Sequence, residues 1–291
     1  MQDYLSAEDL AFRDEVRAFL REHLPPGLAL KGRSQSHMSR EDVIAWHHIL
    51  HRRGWGAPSW PVEYGGTGWT LMQRYIFEDE CAAADAPLLS MFGINMIGPV
   101  IYTYGSEAQK AYYLPRIVAT EDHWCQGYSE PGAGSDLAGL ATRAERDGDS
   151  YVVNGSKIWT SDAHKADMMF CLVRTDPQAR KQQGISFLLI DMKTPGVTVR
   201  PIVTIDGRHE VNEVFFDAVR VPLDNLVGEE NKGWDYAKFL LANERAGIAR
   251  IGISRERLAR VKRLARATPA GAGVMADDPA FRARVAAVEI E

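Results

Sequence analysis

The chain has 291 residues, room for about two domains and a large core, and a formal net charge of −5 that lacks the basic stripe nucleic acid requires. Apolar residues at 45% and charged residues at 25% exclude wholesale disorder, and no apolar run approaches the ~18–20 residues of a membrane span. The acidic start MQDYLSAEDL does not resemble a signal peptide, and Cys81, Cys125 and Cys171 are too few and too scattered for a disulfide framework or a CxxC site, so the expectation is a soluble, cytoplasmic protein.

From Ser6 to about Ile117 the pattern is helical. Ser6 is an N-cap with acids in the first turn, leading into Leu10, Phe12, Val16, Phe19 and Leu20 at helical spacing. Further helices are predicted from Arg40 to Arg53 and from about Trp69 to Ala84. A capping box at Ser106-Glu107-Ala108-Gln109 opens another, which should end near Leu114-Pro115. Gly54 to Gly68 is rich in Gly, Pro and Trp and reads as an ordered loop.

From about Cys125 to Glu229 the period becomes two. Thr142–Arg146 and Tyr151–Asn154 flank Asp147-Gly148, a hairpin signal. Met168–Arg174, Ile185–Ile190, Val197–Pro201 and Val214–Val221 are further short strands, and no helix-length segment interrupts them. This favours an antiparallel sandwich or barrel over a parallel βαβ sheet. From Gly233 the helical period returns to about Arg266. After Thr268–Gly273 another helix starts at Asp278-Pro279, and the chain stops inside that pattern. The predicted fold class is α+β: residues 1–121 helical, 122–230 a β-domain, and 231–291 an incomplete C-terminal helical bundle.

Ser129-Glu130-Pro131-Gly132-Ala133-Gly134-Ser135-Asp136 is the densest chemical signal. Two glycines let the backbone approach a ligand, and amides with serine hydroxyls donate to phosphate or carbonyl oxygen. A dinucleotide fingerprint needs a third glycine where Leu137 stands, and a helix after it. Lys157-Ile158-Trp159-Thr160-Ser161 places an aromatic beside two hydroxyls, which can stack on a planar ring and bond its edge. Alone, each stretch reads first as a tight turn or a strand end.

Together with their neighbours these stretches resemble the acyl-CoA dehydrogenase family. The similar passages are Gly54–Gly68 (GWGAPSWPVEYGGTG), Tyr104–Ile117 (YGSEAQKAYYLPRI), Tyr128–Asp136 (YSEPGAGSD), Asn154–Ser161 (NGSKIWTS) and Arg220–Gly228 (RVPLDNLVG). The resemblance implies FAD as cofactor, an acyl-CoA substrate and a tetrameric homo- or hetero-oligomer without a membrane span. It also implies an electron-transfer flavoprotein as acceptor. By it, Ser129 with Tyr128 and Gly134 meets the flavin, Trp159 lies against the isoalloxazine, and Thr160 and Ser161 lie near its N5/O4 edge. Ser135 reaches the CoA or the flavin pyrophosphate. Gln126 stands where many relatives carry an aromatic residue.

The implied reaction is α,β-dehydrogenation to the trans-2-enoyl-CoA, a carboxylate removing the α-proton while the β-hydrogen leaves to flavin N5. Such a base works best with its pKa raised by an apolar pocket. Glu244 is predicted on the helix from Gly233, with Leu240, Gly247, Ile248 and Ile251 at i−4, i+3, i+4 and i+7 and no basic residue at i±3 or i±4. Read from spacing alone it is first a glutamate bonded to a side chain on another helix. Asn243-Glu244-Arg245 resembles the segment where isovaleryl- and long-chain members place their base, which implies Glu244 as base and Arg245 as a CoA contact. A non-catalytic supporting subunit and an acyl-CoA oxidase are the alternatives. His47 and His51 have the i, i+4 spacing of a zinc pair, but His48 replaces the required glutamate, so a solvated helix face is expected and no metal. Arg250 to Arg266 reads as the wet side of an amphipathic helix.

Overall fold

The computed structural model describes residues 5–34, 38–248 and 251–290, without the side chains of 243–248. The chain forms two compact units, one of residues 1–38, 69–87 and 248–291, the other of 39–68 and 88–247.

The first unit is helical. Helix α1 (Ala7–His23) opens on Ser6, the N-cap the sequence predicts, and Asp9 completes a capping box in which the two satisfy each other's backbone amides. Short α2 (Pro26–Ser34) follows, which the sequence pattern did not reveal. The same unit holds α4 (Leu71–Ala83), α8 (Ile251–Ala267) and α9 (Pro279–Ile290). Phe12, Val16, Phe19, Ile76 and Phe77 are buried, and Arg17 pairs with the largely buried Glu80 at 2.8 Å. The basic side of α8 is not simply wet. Arg255 binds Asp79 at 2.8 Å, and Arg260 binds Asp85 at 2.6 Å, because the carboxylates of α4 and its C-terminal turn face it.

The second unit carries α3 (Arg40–Arg52), a π-helix (Met91–Ile97), α5 (Gly98–Tyr104), α6 (Glu107–Val118), seven strands and α7 (Gly233–Ile248). The Gly54–Gly68 loop is ordered by Trp60, whose indole N–H donates to the Ile94 carbonyl of the π-helix at 2.7 Å. Helix α6 does not end at Pro115 but at Val118, since Leu114, Ile117 and Val118 are core residues and hold the last turn in place. His47 is buried rather than solvated. Its Nε2 meets the Val118 carbonyl at 3.1 Å, and His48 Nε2 meets Ala119 O at 3.0 Å, so α3 covers the free carbonyls at the end of α6. Among the described residues no His, Cys, Asp and Glu group could hold a metal ion, and no helix is long and apolar enough to cross a membrane.

The strands are β1 (Trp124–Gly127), β2 (Arg143–Asp147), β3 (Ser150–Ser161), β4 (Met168–Arg174), β5 (Ile185–Asp191), β6 (Val197–Val203) and β7 (His209–Pro222). The β2–β3 hairpin turns at Gly148-Asp149, one residue later than expected, with Gly148 at φ 62° as the first central residue of a type II′ turn requires. β4 pairs antiparallel with β5 on one side but parallel with β1 and the start of β2 on the other, so the sheet is not antiparallel throughout as the strand pattern suggests, because local periodicity does not report strand direction. β3–β7 and β6–β7 are antiparallel. β4 and β5 are buried on both faces. Phe170, Leu172, Phe187 and Leu189 join the helices in one core, while Met169, Cys171, Val173, Leu188 and Ile190 meet β2, β3 and β7 in another.

Candidate functional site

β1 delivers the chain to the glycine-rich loop of residues 129–136, which is pinned to β3. Ile158 N–H donates to the Ser129 carbonyl at 2.9 Å, and Glu130 and Ala133 exchange two backbone bonds of 3.0 Å. Beneath it lies a buried ion pair. Lys157 has no exposed surface, and its Nζ meets Glu130 Oε1 at 2.7 Å and donates to Tyr128 O at 3.2 Å. The Glu130 carboxylate also accepts Ala141 N–H at 2.6 Å and Thr142 N–H at 3.0 Å. Burial pushes the Glu130 pKa up, but Lys157 and these donors outweigh it and hold the carboxyl below its ordinary value. Both residues belong to motifs visible in the sequence. Their pairing across 27 residues left no sequence signal.

The loop lies beside a bulge in β3. The β3–β7 register passes from Lys157↔Val214 to Thr160↔Asn212, so β3 holds one extra residue. There Trp159 adopts φ 58°, a strained conformation for a bulky side chain, and is 60% exposed. Thr160 next to it is buried, and Ser161 is half-buried. Thr160 Oγ1 and Gln126 Nε2 are buried without a hydrogen-bond partner among the described residues. β1 packs against β3, so Gln126, Tyr128 and Ser129 share this neighbourhood with Trp159, Thr160 and Ser161. Tyr128 is buried with its ring edge-on to Phe170 at 5.9 Å.

Gly134 and Ser135 are exposed at the loop tip. A methyl group built on Gly132 or Gly134 would meet no atom within 4 Å, and neither glycine has a positive φ, so nothing within the chain requires glycine there. The open face is compatible with close approach of a ligand. Asp136, two residues on, pairs with Lys181 of the β4–β5 connection at 2.6 Å. Glu244 and Arg245 lie on α7, and their side chains are outside the described residues. One turn earlier Leu240 is fully buried, and the Tyr236 ring packs tilted against Tyr104 with centroids 4.4 Å apart.

Residues 6–121 match the model for the acyl-CoA dehydrogenase N-terminal domain and residues 125–219 that for the middle domain. The chain is 42% identical over 282 residues to acyl-CoA dehydrogenase IpdE1 of Mycobacterium tuberculosis (strain ATCC 25618 / H37Rv), covering 94% of this chain and 72% of that protein. Among solved structures it resembles the Tcur3481-Tcur3483 steroid ACAD (TM-score 0.86, 35% identity, 98% of this chain and 74% of that one). It also resembles the ChsE4-ChsE5 complex from Mycobacterium tuberculosis (TM-score 0.83, 35% identity, 100% and 74%). An N-terminal helical region, a curled middle sheet and further helices, matched by these models and relatives, place the chain in the acyl-CoA dehydrogenase family of oxidoreductase flavoproteins.

Proposed function

We propose that this chain catalyses FAD-dependent α,β-dehydrogenation of an acyl-CoA thioester, with Glu244 as the base. The observation that carries the reading is Trp159, a bulky residue in the left-handed region whose ring is left largely exposed on a sheet bulge. A flat aromatic held this way is suited to stack on a planar ring. Thr160 Oγ1 and Gln126 Nε2, buried and unsatisfied among the described residues, fit the polar edge of such a ring.

Bound there, FAD supplies the two-electron acceptor for the oxidation. Gln126, Tyr128, Ser129, Thr160 and Ser161 orient the flavin, and Gly134 and Ser135 meet its pyrophosphate or the CoA. Arg245 contacts the CoA. Glu244 takes the α-proton from its place on α7 one turn beyond the buried Leu240, the role a carboxylate fills in general base catalysis. The same reading assigns residues 1–121, 122–230 and 231–291 to three domains. It places the protein in the cytoplasm as a tetramer that passes electrons to an electron-transfer flavoprotein.

The test is anaerobic titration of the purified protein with a panel of acyl-CoA thioesters while flavin absorbance is followed. A steroid side-chain thioester belongs in that panel because a similar structure is named a steroid ACAD. One thioester should bleach the flavin. Glu244→Gln should keep flavin and thioester binding but lose reduction by about 10²–10⁴-fold, the range of general base catalysis. Bleaching of Glu244→Gln at the wild-type rate would overturn the base assignment. A second reading, a supporting subunit, is favoured by the similarity to a chain of the two-protein ChsE4-ChsE5 complex. A colourless protein that gains flavin only with a partner would select it.

A further inference from the structure

The segment that carries the exposed tryptophan is bounded by two left-handed residues, Trp159 at φ 58° and Asp162 at φ 55°. Such residues persist only where their surroundings over-determine them. Between them the Thr160 carbonyl accepts a hydrogen bond from Asn212 Nδ2 at 3.0 Å. Asn212, on β7, has no exposed surface. Its Nδ2 also meets His164 Nδ1 at 3.2 Å, and its Oδ1 meets His209 Nε2 at 2.7 Å. The two imidazoles stack, with centroids 4.0 Å and planes 25° apart.

One fixed acceptor sets every proton in this network. A carbonyl oxygen only accepts, so the atom of Asn212 that faces Thr160 is its NH₂ group. The second N–H of that group points at His164 Nδ1, which must therefore carry a lone pair. The amide oxygen requires a proton on His209 Nε2. His209 meets that demand whether neutral or charged. His164 meets its own only while neutral, with its proton on Nε2.

We infer that Asn212 is a positioning residue for the segment 159–162, and that it holds this segment only while His164 is uncharged. Its bearing on catalysis rests on the flavin reading given above, whereas the network itself does not. Protonation of His164 sets N–H against N–H and places a cation 4.0 Å from a second imidazole. The groups acting on His164 are His209 from β7 and, on its own turn, Lys165 and Asp162, which pair with each other at 2.9 Å. From the other strands packed on this turn, β1 brings only the buried Cys125 thiol, and Arg200 of β6 lies over the Phe215 ring at 4.7 Å. Desolvation, His209 and Lys165 lower the His164 pKa against the opposing effects of Asp162 and Asn212. The network is thus intact at neutral pH and opens on the acid side of the ordinary histidine range.

Hydrogen exchange of the amides of residues 160–162, measured by mass spectrometry on the purified holoenzyme from about pH 8 to about pH 5, tests this. After correction for intrinsic rates, wild-type protection should fall about tenfold on acidification, the size of one lost hydrogen bond. His164→Asn leaves an acceptor where Nδ1 stands and cannot take up a proton, so its protection should stay level. Asn212→Ala should be unprotected throughout. Wild-type protection that ignores pH, or a His164→Asn profile that falls with the wild type, overturns the inference. Should Asn212→Ala fail to fold, the comparison of wild type with His164→Asn still decides. Flavin that no thioester bleaches, with the pH pattern intact, sinks the flavin reading alone. Normal bleaching with pH-independent protection sinks the positioning role alone.

Discussion

At the scale of single residues, the glycine-rich loop depends on an ion pair that solvent does not reach. Lys157 is fully buried, and Glu130 spends its oxygens on Lys157 and two backbone amides. Removing one partner of such a pair leaves an uncompensated buried charge, which costs about 3–5 kcal/mol, whereas removing both charges is far milder. Lys157→Met should therefore lower the urea midpoint sharply and reduce flavin content, and the double variant Glu130→Gln/Lys157→Met should recover most of the midpoint. Equal losses in the single and double variants would refute this account. The sequence shows Trp159 beside its hydroxyls and the glycine-rich loop beside its serines, because residue types are visible in it. It does not show that Trp159 occupies a left-handed bulge, since that follows from register against β7, or that Lys157 reaches Glu130, since each charge is ordinary where it stands.

At the scale of elements, α3 finishes α6. The carbonyls left open at the end of α6 meet imidazoles of α3, and His47 is buried by that contact. Burial lowers the His47 pKa to about 4, against the partial opposing effect of the Val118 carbonyl. The folded state thus keeps His47 neutral where the unfolded chain, near the ordinary histidine value of about 6.5, takes up a proton. This contribution is fully present above the unfolded pKa. It is lost as pH falls from about 6.5 toward about 4, and by the lower end the loss amounts to roughly 3 kcal/mol. His47→Gln offers an N–H to Val118 and does not titrate, so its unfolding midpoint should fall less steeply across that window. Parallel slopes for the two proteins would show that His47 is not the titrating group. The N-cap at Ser6 and the capping box at Ser106 were legible because each signal lies within four residues. The end of α6 was not, because Pro115 is a local stop signal and its override comes from core residues and from a helix about seventy residues earlier.

At the scale of the whole molecule, the sequence reads as helices, strands and helices in order, but one compact unit is assembled from three separate stretches of chain. Periodicity reports how a segment folds, not which distant segment it joins, so this interleaving was not legible. In that helical unit, α8 exposes Val261 at 41% and Leu264 at 59%, three residues apart and therefore neighbours on one helix surface, and α9 exposes Val288 at 63%. Exposed apolar side chains side by side on one helix, with another on α9, are the kind of surface that marks a protein–protein contact. A stable contact buries roughly 1,200–2,000 Å² in total, and charge introduced near its centre disrupts it. Light scattering on the eluting protein should report an oligomer. Val261→Glu with Leu264→Glu should lower its mass, while the far-ultraviolet circular dichroism stays unchanged because neither side chain is buried. A variant that elutes at the wild-type mass would place the subunit contact elsewhere, and a monomeric wild type would leave this face without a partner of its own kind.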